Sequence, residues 1–155
     1  MNPPAVIHDT FAIKRTYPAS AERVFAAFSQ ADKKRRWFAE SDSHVVEAFR
    51  QVFQVGGEEH LEYRYKPGTP FQGVVVQSDG RFLDIVDNRR VVTASSMTLG
   101  GKRISASLVT LELTPTPDGT NLTCTFQGAF FEGADGPQIR VMGWKHLLEK
   151  LAAAV

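Results

Sequence analysis

Cysteine occurs once in the 155 residues, as Cys124, so no disulfide can close within the chain. Neither sign of charge is in excess: 18 Lys+Arg stand against 17 Asp+Glu. That balance supplies no general attraction to nucleic acid or to an anionic membrane. No apolar run approaches the roughly 20 residues that span a bilayer; residues 151–155 are among the longest. Met1-Asn2-Pro3-Pro4-Ala5-Val6 has neither the basic start nor the apolar stretch of a signal peptide. These absences predict a cytoplasmic protein with no nucleic-acid partner and no membrane insertion. What remains is ordinary globular material, 43% hydrophobic and 23% charged, read as one domain over 1–155. A chain of this length buries roughly 68–70% of its unfolded surface, enough for a core without staples.

Residues 9–17 alternate, with Phe11, Ile13, Arg15 and Tyr17 on one face, as a strand does. Pro18 stops it, and Ser20 is placed to cap a short helix that turns Val24, Phe25 and Phe28 inward. Residues 31–37 read as a second short helix. Its run Lys33-Lys34-Arg35-Arg36 is expected to be a solvated face, since no matching basic surface follows. From His44 the pattern becomes strands: 44–55, 58–65, 72–78, 81–86, 91–98, 103–114 and 120–130. Gly56-Gly57, Asp79-Gly80, Gly100-Gly101 and Asp118-Gly119 punctuate them as hairpin turns, unless some neighbouring pairs form one bulged strand.

The period then changes. Val141, Trp144, Leu148, Leu151 and Val155 form one apolar stripe on a helix of about 18 residues, opened by Pro137. Strands grouped together with helices at the ends define an α+β fold with an antiparallel sheet. Such a helix is roughly 27 Å long and about 10 Å wide. It cannot cover a face of six or seven strands spaced ~4.8 Å apart. Either the sheet curls and the short helices close the gap, or a cavity remains. Arg15 beside Ile13, Tyr63 and Tyr65 beside Leu61, and Ser105 and Ser107 beside Val109 are polar on apolar faces. They favour a lined cavity over strand ends whose polar tips reach water.

Catalytic signatures are missing. His8, His44, His60 and His146 show no metal-binding spacing, and no nucleophile elbow or phosphate-binding glycine loop is present. No metal, cofactor or catalytic residue is therefore expected. Glu58-Glu59-His60 reads as a solvated hairpin end, with Glu59 pointing away from the other two. Cys124, on a strand with Leu122 and Phe126, reads as a buried small hydrophobe.

The segment from Phe11 through Tyr17-Pro18-Ala19-Ser20-Ala21-Glu22-Arg23-Val24-Phe25, followed by Arg36-Trp37-Phe38, resembles the start of the activator of Hsp90 ATPase homologue-like family. Val55-Gly56-Gly57, Arg89-Arg90-Val91-Val92, Gly119-Thr120-Asn121-Leu122-Thr123 and Gly143-Trp144 continue the likeness in order. Gln127-Gly128-Ala129-Phe130-Phe131-Glu132-Gly133 resembles a bacterial branch of that family. The resemblance implies a START-related, helix-grip (SRPBCC) fold: a curved antiparallel sheet around a long C-terminal helix, with two short helices after the first strand. It also implies a cavity that takes lipid- or polyketide-like molecules. Pro18 and Ser20 depart from the family pattern, and Thr93 and Ser95 are small where relatives carry aromatics, which predicts a roomier and more polar strand.

The leading expectation is noncatalytic binding of a small apolar molecule against the C-terminal helix. Trp37, Phe130, Trp144 and Leu148 would touch its body, Tyr63 and Tyr65, or Arg15, would fix its polar end, and Ser95 would also line the site. A second reading is a protein-interaction module of the chaperone-regulator or stress-response type, engaging a partner through Lys33-Lys34-Arg35-Arg36. A third is cyclase- or dehydratase-like chemistry, which needs Arg15 or Glu62 inside and bonded to a second ionisable group. A homodimer is the expectation for a domain of this size.

Overall fold

The computed structural model describes residues 6–155; residues 1–5, read above for a leader, lie outside them. The first strand, β1 (Ile7–Tyr17), turns Ile13 and Tyr17 into the core. Ser20 caps α1 (Ala21–Ser29), its hydroxyl accepting from the Arg23 amide at 3.2 Å. Such a cap is worth about 1 kcal/mol. The helix buries Val24, Phe25 and Phe28 as its spacing predicts. Next, α2 (Ala31–Lys34) runs directly into a π-helical turn, Arg35–Ala39. Within that turn Trp37 faces the core and its indole donates to the Ala27 carbonyl at 2.8 Å. Phe38, its neighbour, lies 6.4 Å from Trp144 between ring centroids.

Six more strands follow: β2 (His44–Gln51), β3 (Glu58–Tyr65), β4 (Val75–Val86), β5 (Arg90–Leu99), β6 (Lys102–Thr116) and β7 (Gly119–Phe130). All seven pair antiparallel in the order β1-β7-β6-β5-β4-β3-β2. The meander is thus closed by β1, which lies beside the last strand. The final helix, α3 (Pro137–Leu151), ends in a 3-10 turn, Ala152–Ala154. The sheet curves around it, and the Tyr17 hydroxyl donates to the Leu148 carbonyl at 2.7 Å across that packing. Among the described residues, no helix is long and apolar enough to cross a membrane.

Three expectations change. Asp79-Gly80 is no turn, because both residues lie inside β4, which joins most of 72–78 and 81–86 into one strand. Its register shifts between Phe82 and Asp84. A Cβ at Gly80 would approach Thr93 Cγ2 at 3.1 Å and Ser95 Cβ at 3.3 Å, so the glycine answers a close cross-strand contact. The strand expected over 44–55 ends at Gln51, where the chain bends toward β3. Finally, the basic run is not uniformly solvated: Lys34 is buried and ion-paired with Glu59. Glu59 points inward, while Glu58 and His60 bond Arg81 and Asp79 outside at 3.0 and 2.6 Å.

Candidate functional site

Strand register arranges the inward-facing residues of the sheet in transverse rows. One row reads Phe82, Thr93, Val109, Phe126. The next reads Glu59, Gly80, Ser95, Ser107, Gly128, and the one beyond it Leu61, Ser78, Met97, Ser105, Phe130. The middle of the concave face is therefore floored by small side chains, with Phe82, Phe126 and Phe130 at the ends of the neighbouring rows. Ser95, Ser107 and Ser78 are only half-buried, and the Ser95 and Ser107 hydroxyls lie 3.2 Å apart. Gly128 leaves room for Phe126, since a Cβ there would sit 2.4 Å from Phe126 Cε1. That ring folds over the gap and stacks on Phe11 at 4.8 Å.

Two ion pairs face this interior. Lys34 reaches from α2 to Glu59 on β3, with its ammonium 4.7 Å from the Phe38 ring and 5.6 Å from that of Phe82. Arg140, in the first turns of α3, binds Asp135 through Nε at 2.8 Å and Nη2 at 2.7 Å. Nη2 also donates to Ser105 at 3.1 Å. Its guanidinium carbon lies 5.6 and 5.1 Å from the Phe126 and Phe130 ring centres. A cation against two aromatic faces is held by their quadrupoles as well as by the carboxylate.

Across the curve of the sheet stands an aromatic cluster. His44 stacks on Tyr63 at 3.8 Å, and Tyr65 meets Tyr63 edge-on at 5.6 Å. His44 Nε2 donates to the Ala39 carbonyl at 2.6 Å, which places the proton on that nitrogen. Burial holds the His44 pKa below the ordinary imidazole range; the Ala39 bond opposes this, and Lys150 and Lys66 reinforce it. Burial raises the Tyr63 pKa, with Tyr65 adding and Arg140 opposing, so the hydroxyl keeps its proton and can donate. The curvature thus brings β3 within electrostatic reach of Arg140. Burial also pushes the Cys124 thiol up to about 12, which leaves it an inert filler.

Of the residues expected at a site, Tyr63, Tyr65, Ser95 and Trp144 lie half-buried on the inner side, and Phe130 stands beside Arg140. Trp37 and Leu148 are closed into the core, at 1% and 0% exposure. Arg15 is apart from the rest: it sits opposite Leu122, and its guanidinium donates to the Lys14 carbonyl. Glu62 accepts from Gln77 on the other face of the strand. Arg140 and Lys34 went unnoticed as inward residues. The signal was spacing, since Arg140 stands four before Trp144 and Lys34 three before Trp37.

Two clefts lie along the sheet, and no residue of α3 lines either. One of about 510 Å³ is lined by Glu58, Glu59, His60, Asp79, Gly80, Arg81, Leu83, Ala94, Ser95 and Ser96, and one of about 440 Å³ by His8, Asp9, Thr10, Gln127, Gly128 and Ala129. They share Ala106 and Ser107, and residues of the inner row, Gly80, Ser95 and Ser107 in the first and Ser107 and Gly128 in the second, contribute to their lining beside residues of the other face. Neither lies between sheet and α3, where the sequence placed a cavity; Phe126, Phe130 and Arg140 pack together beneath the start of that helix. Among the described residues, no group of three His, Cys, Asp or Glu could hold a metal ion.

A curved antiparallel sheet gripping a C-terminal helix, with two short helices after the first strand, defines the helix-grip class. The family model described as activator of Hsp90 ATPase homolog 1-like protein matches residues 18–155. The chain belongs to that family. It is 45% identical to the Mll3558 protein of Rhizobium loti, over 98% of this chain and 100% of that one, with a TM-score of 0.87. An uncharacterised protein of Rhizobium leguminosarum is 32% identical over 96% and 95% of the two chains, with a TM-score of 0.89. The AHSA1-like protein of Aeromonas hydrophila shares the fold at 21% identity and a TM-score of 0.70, over 95% and 92% of the chains. No curated protein matches the sequence.

Proposed function

We propose that the protein binds a small apolar molecule between the concave sheet and α3 without transforming it. The observation that carries this reading is the half-buried row of small residues Gly80, Ser95, Ser107, in the middle of a face that packing alone would fill with larger side chains. Apolar area removed from water there stabilises the complex by ~25 cal/mol per Å². Tyr63 and Trp144 flank the ligand. The chaperone-regulator reading is less favoured, because Lys34 is committed to Glu59 and Arg35 to Glu40, leaving fewer cations for a partner. Catalysis is less favoured because neither Arg15 nor Glu62 meets a second ionisable group inside.

A thermal-shift panel of fatty acids, polyphenols and polyketides tests the proposal. A bound ligand at a hundredfold excess over Kd raises stability by about 2.7 kcal/mol. Ser95→Phe fills the row and should abolish the shift while the far-UV spectrum stays native. No shift from any class would sink the reading.

A further inference from the structure

Resting on that ligand-binding reading, we infer that Arg140 holds the polar end of the ligand, and that Asp135 makes the site select a neutral acceptor, such as a ketone or ester, over a carboxylate. Arg140 is 8% exposed. Nε and Nη2 are engaged by Asp135 and Ser105, whereas Nη1 has no hydrogen-bond partner among the described residues. Nη1 is not sealed from solvent either: among the described residues, Gln51 Oε1 is the one side-chain polar atom both fully buried and without a partner. One edge of a rigidly held guanidinium is thus open to an incoming acceptor.

The charge count decides which acceptor. Asp135 already neutralises Arg140, so a ligand carboxylate would bring a second anion beside the first, and the other buried cation, Lys34, is committed to Glu59. Lys102 touches the same loop at Gly133, but it is exposed, and water screens its charge. A carbonyl oxygen accepts from Nη1 without adding charge. Tyr63, protonated and within electrostatic reach of both Arg140 and Asp135, can donate to the same group.

Calorimetric titration with two matched pairs tests this: methyl undecyl ketone against laurate, and acetylnaphthalene against naphthoate, at a pH where both acids are ionised. In the wild-type chain the ketone of at least one pair should bind tenfold or more tighter than its acid. Asp135→Asn removes the compensating charge and should invert the order in favour of the acid, while Asp135→Glu keeps the ketone preference. Circular dichroism of each variant checks folding, and the wild-type comparison stands without them. If no compound of either pair binds, the pocket reading falls, and this inference with it. If compounds bind but ketones are no tighter than acids, or Asp135→Asn leaves the order unchanged in a folded protein, only the charge argument is overturned.

Discussion

The two buried ion pairs differ in what closes around them. Lys34 and Glu59 expose 6% and 8% of their side chains and are wedged between Phe38 and Phe82. Arg140 is as buried, yet Asp135 keeps 25% of its side chain in solvent and Nη1 stays unengaged. A sealed pair contributes little net stability over an apolar replacement, but it punishes loss of either partner. A pair open on one side tolerates change better and has donors left for something else. The first therefore belongs to the scaffold, joining α2 to β3. The second keeps a donor free for the proposed ligand.

Breaking that contrast gives graded effects. Lys34→Met leaves the Glu59 carboxyl buried and unpaired, and denaturant unfolding should record a loss of about 3–5 kcal/mol. Joining it to Glu59→Leu should restore wild-type stability or exceed it by up to about 4 kcal/mol, as apolar replacements of buried pairs do. Arg140→Met should cost less, about 1–3 kcal/mol, because Asp135 can turn to water while Ser105 loses its partner. Equal losses from Lys34→Met and Arg140→Met would erase the distinction between the pairs.

The smallest effect concerns pH, through His44 beside Tyr63. The folded-state pKa of His44 is lowered by burial, so the unfolded chain binds the proton more readily. Its contribution to stability is complete above the ordinary imidazole value of about 6.5 and is lost as pH falls toward the folded value. Unfolding midpoints measured from about pH 7.5 to 5 should therefore drop, and His44→Phe should flatten the trend. An unchanged slope in that variant would remove His44 from the account.

Much of the frame was legible from period alone. Alternation located the inward residues of β1, β6 and β7, Ser20 marked the start of α1, and the apolar stripe marked α3. Asp-Gly misled at 79–80 because a short-range turn signal and a close cross-strand contact both ask for glycine. The site was harder to read for a related reason. Charge is taken as a sign of solvent, yet Lys34 and Arg140 stand on apolar stripes and find carboxylates that no local pattern reveals. Glu59 is 25 residues from Lys34 in the chain, and Ser105 is 35 from Arg140. Arg15 failed in the opposite direction. It shares the inward face of β1, but it lies near the end of the strand, where its guanidinium turns back to the preceding carbonyl.

The pairing of β1 with β7 sets a condition on biosynthesis. Ile7 meets Phe130 and Tyr17 meets Thr120, so the first strand made must wait for the last. While the ribosome completes the meander, β1 has no native neighbour in the sheet, and its hydrogen-bonding edge is available to other chains. The Tyr17 hydroxyl finds Leu148 later still. Closure of this sheet is therefore a late event of synthesis, and the span before it is when the nascent chain has most to gain from a chaperone.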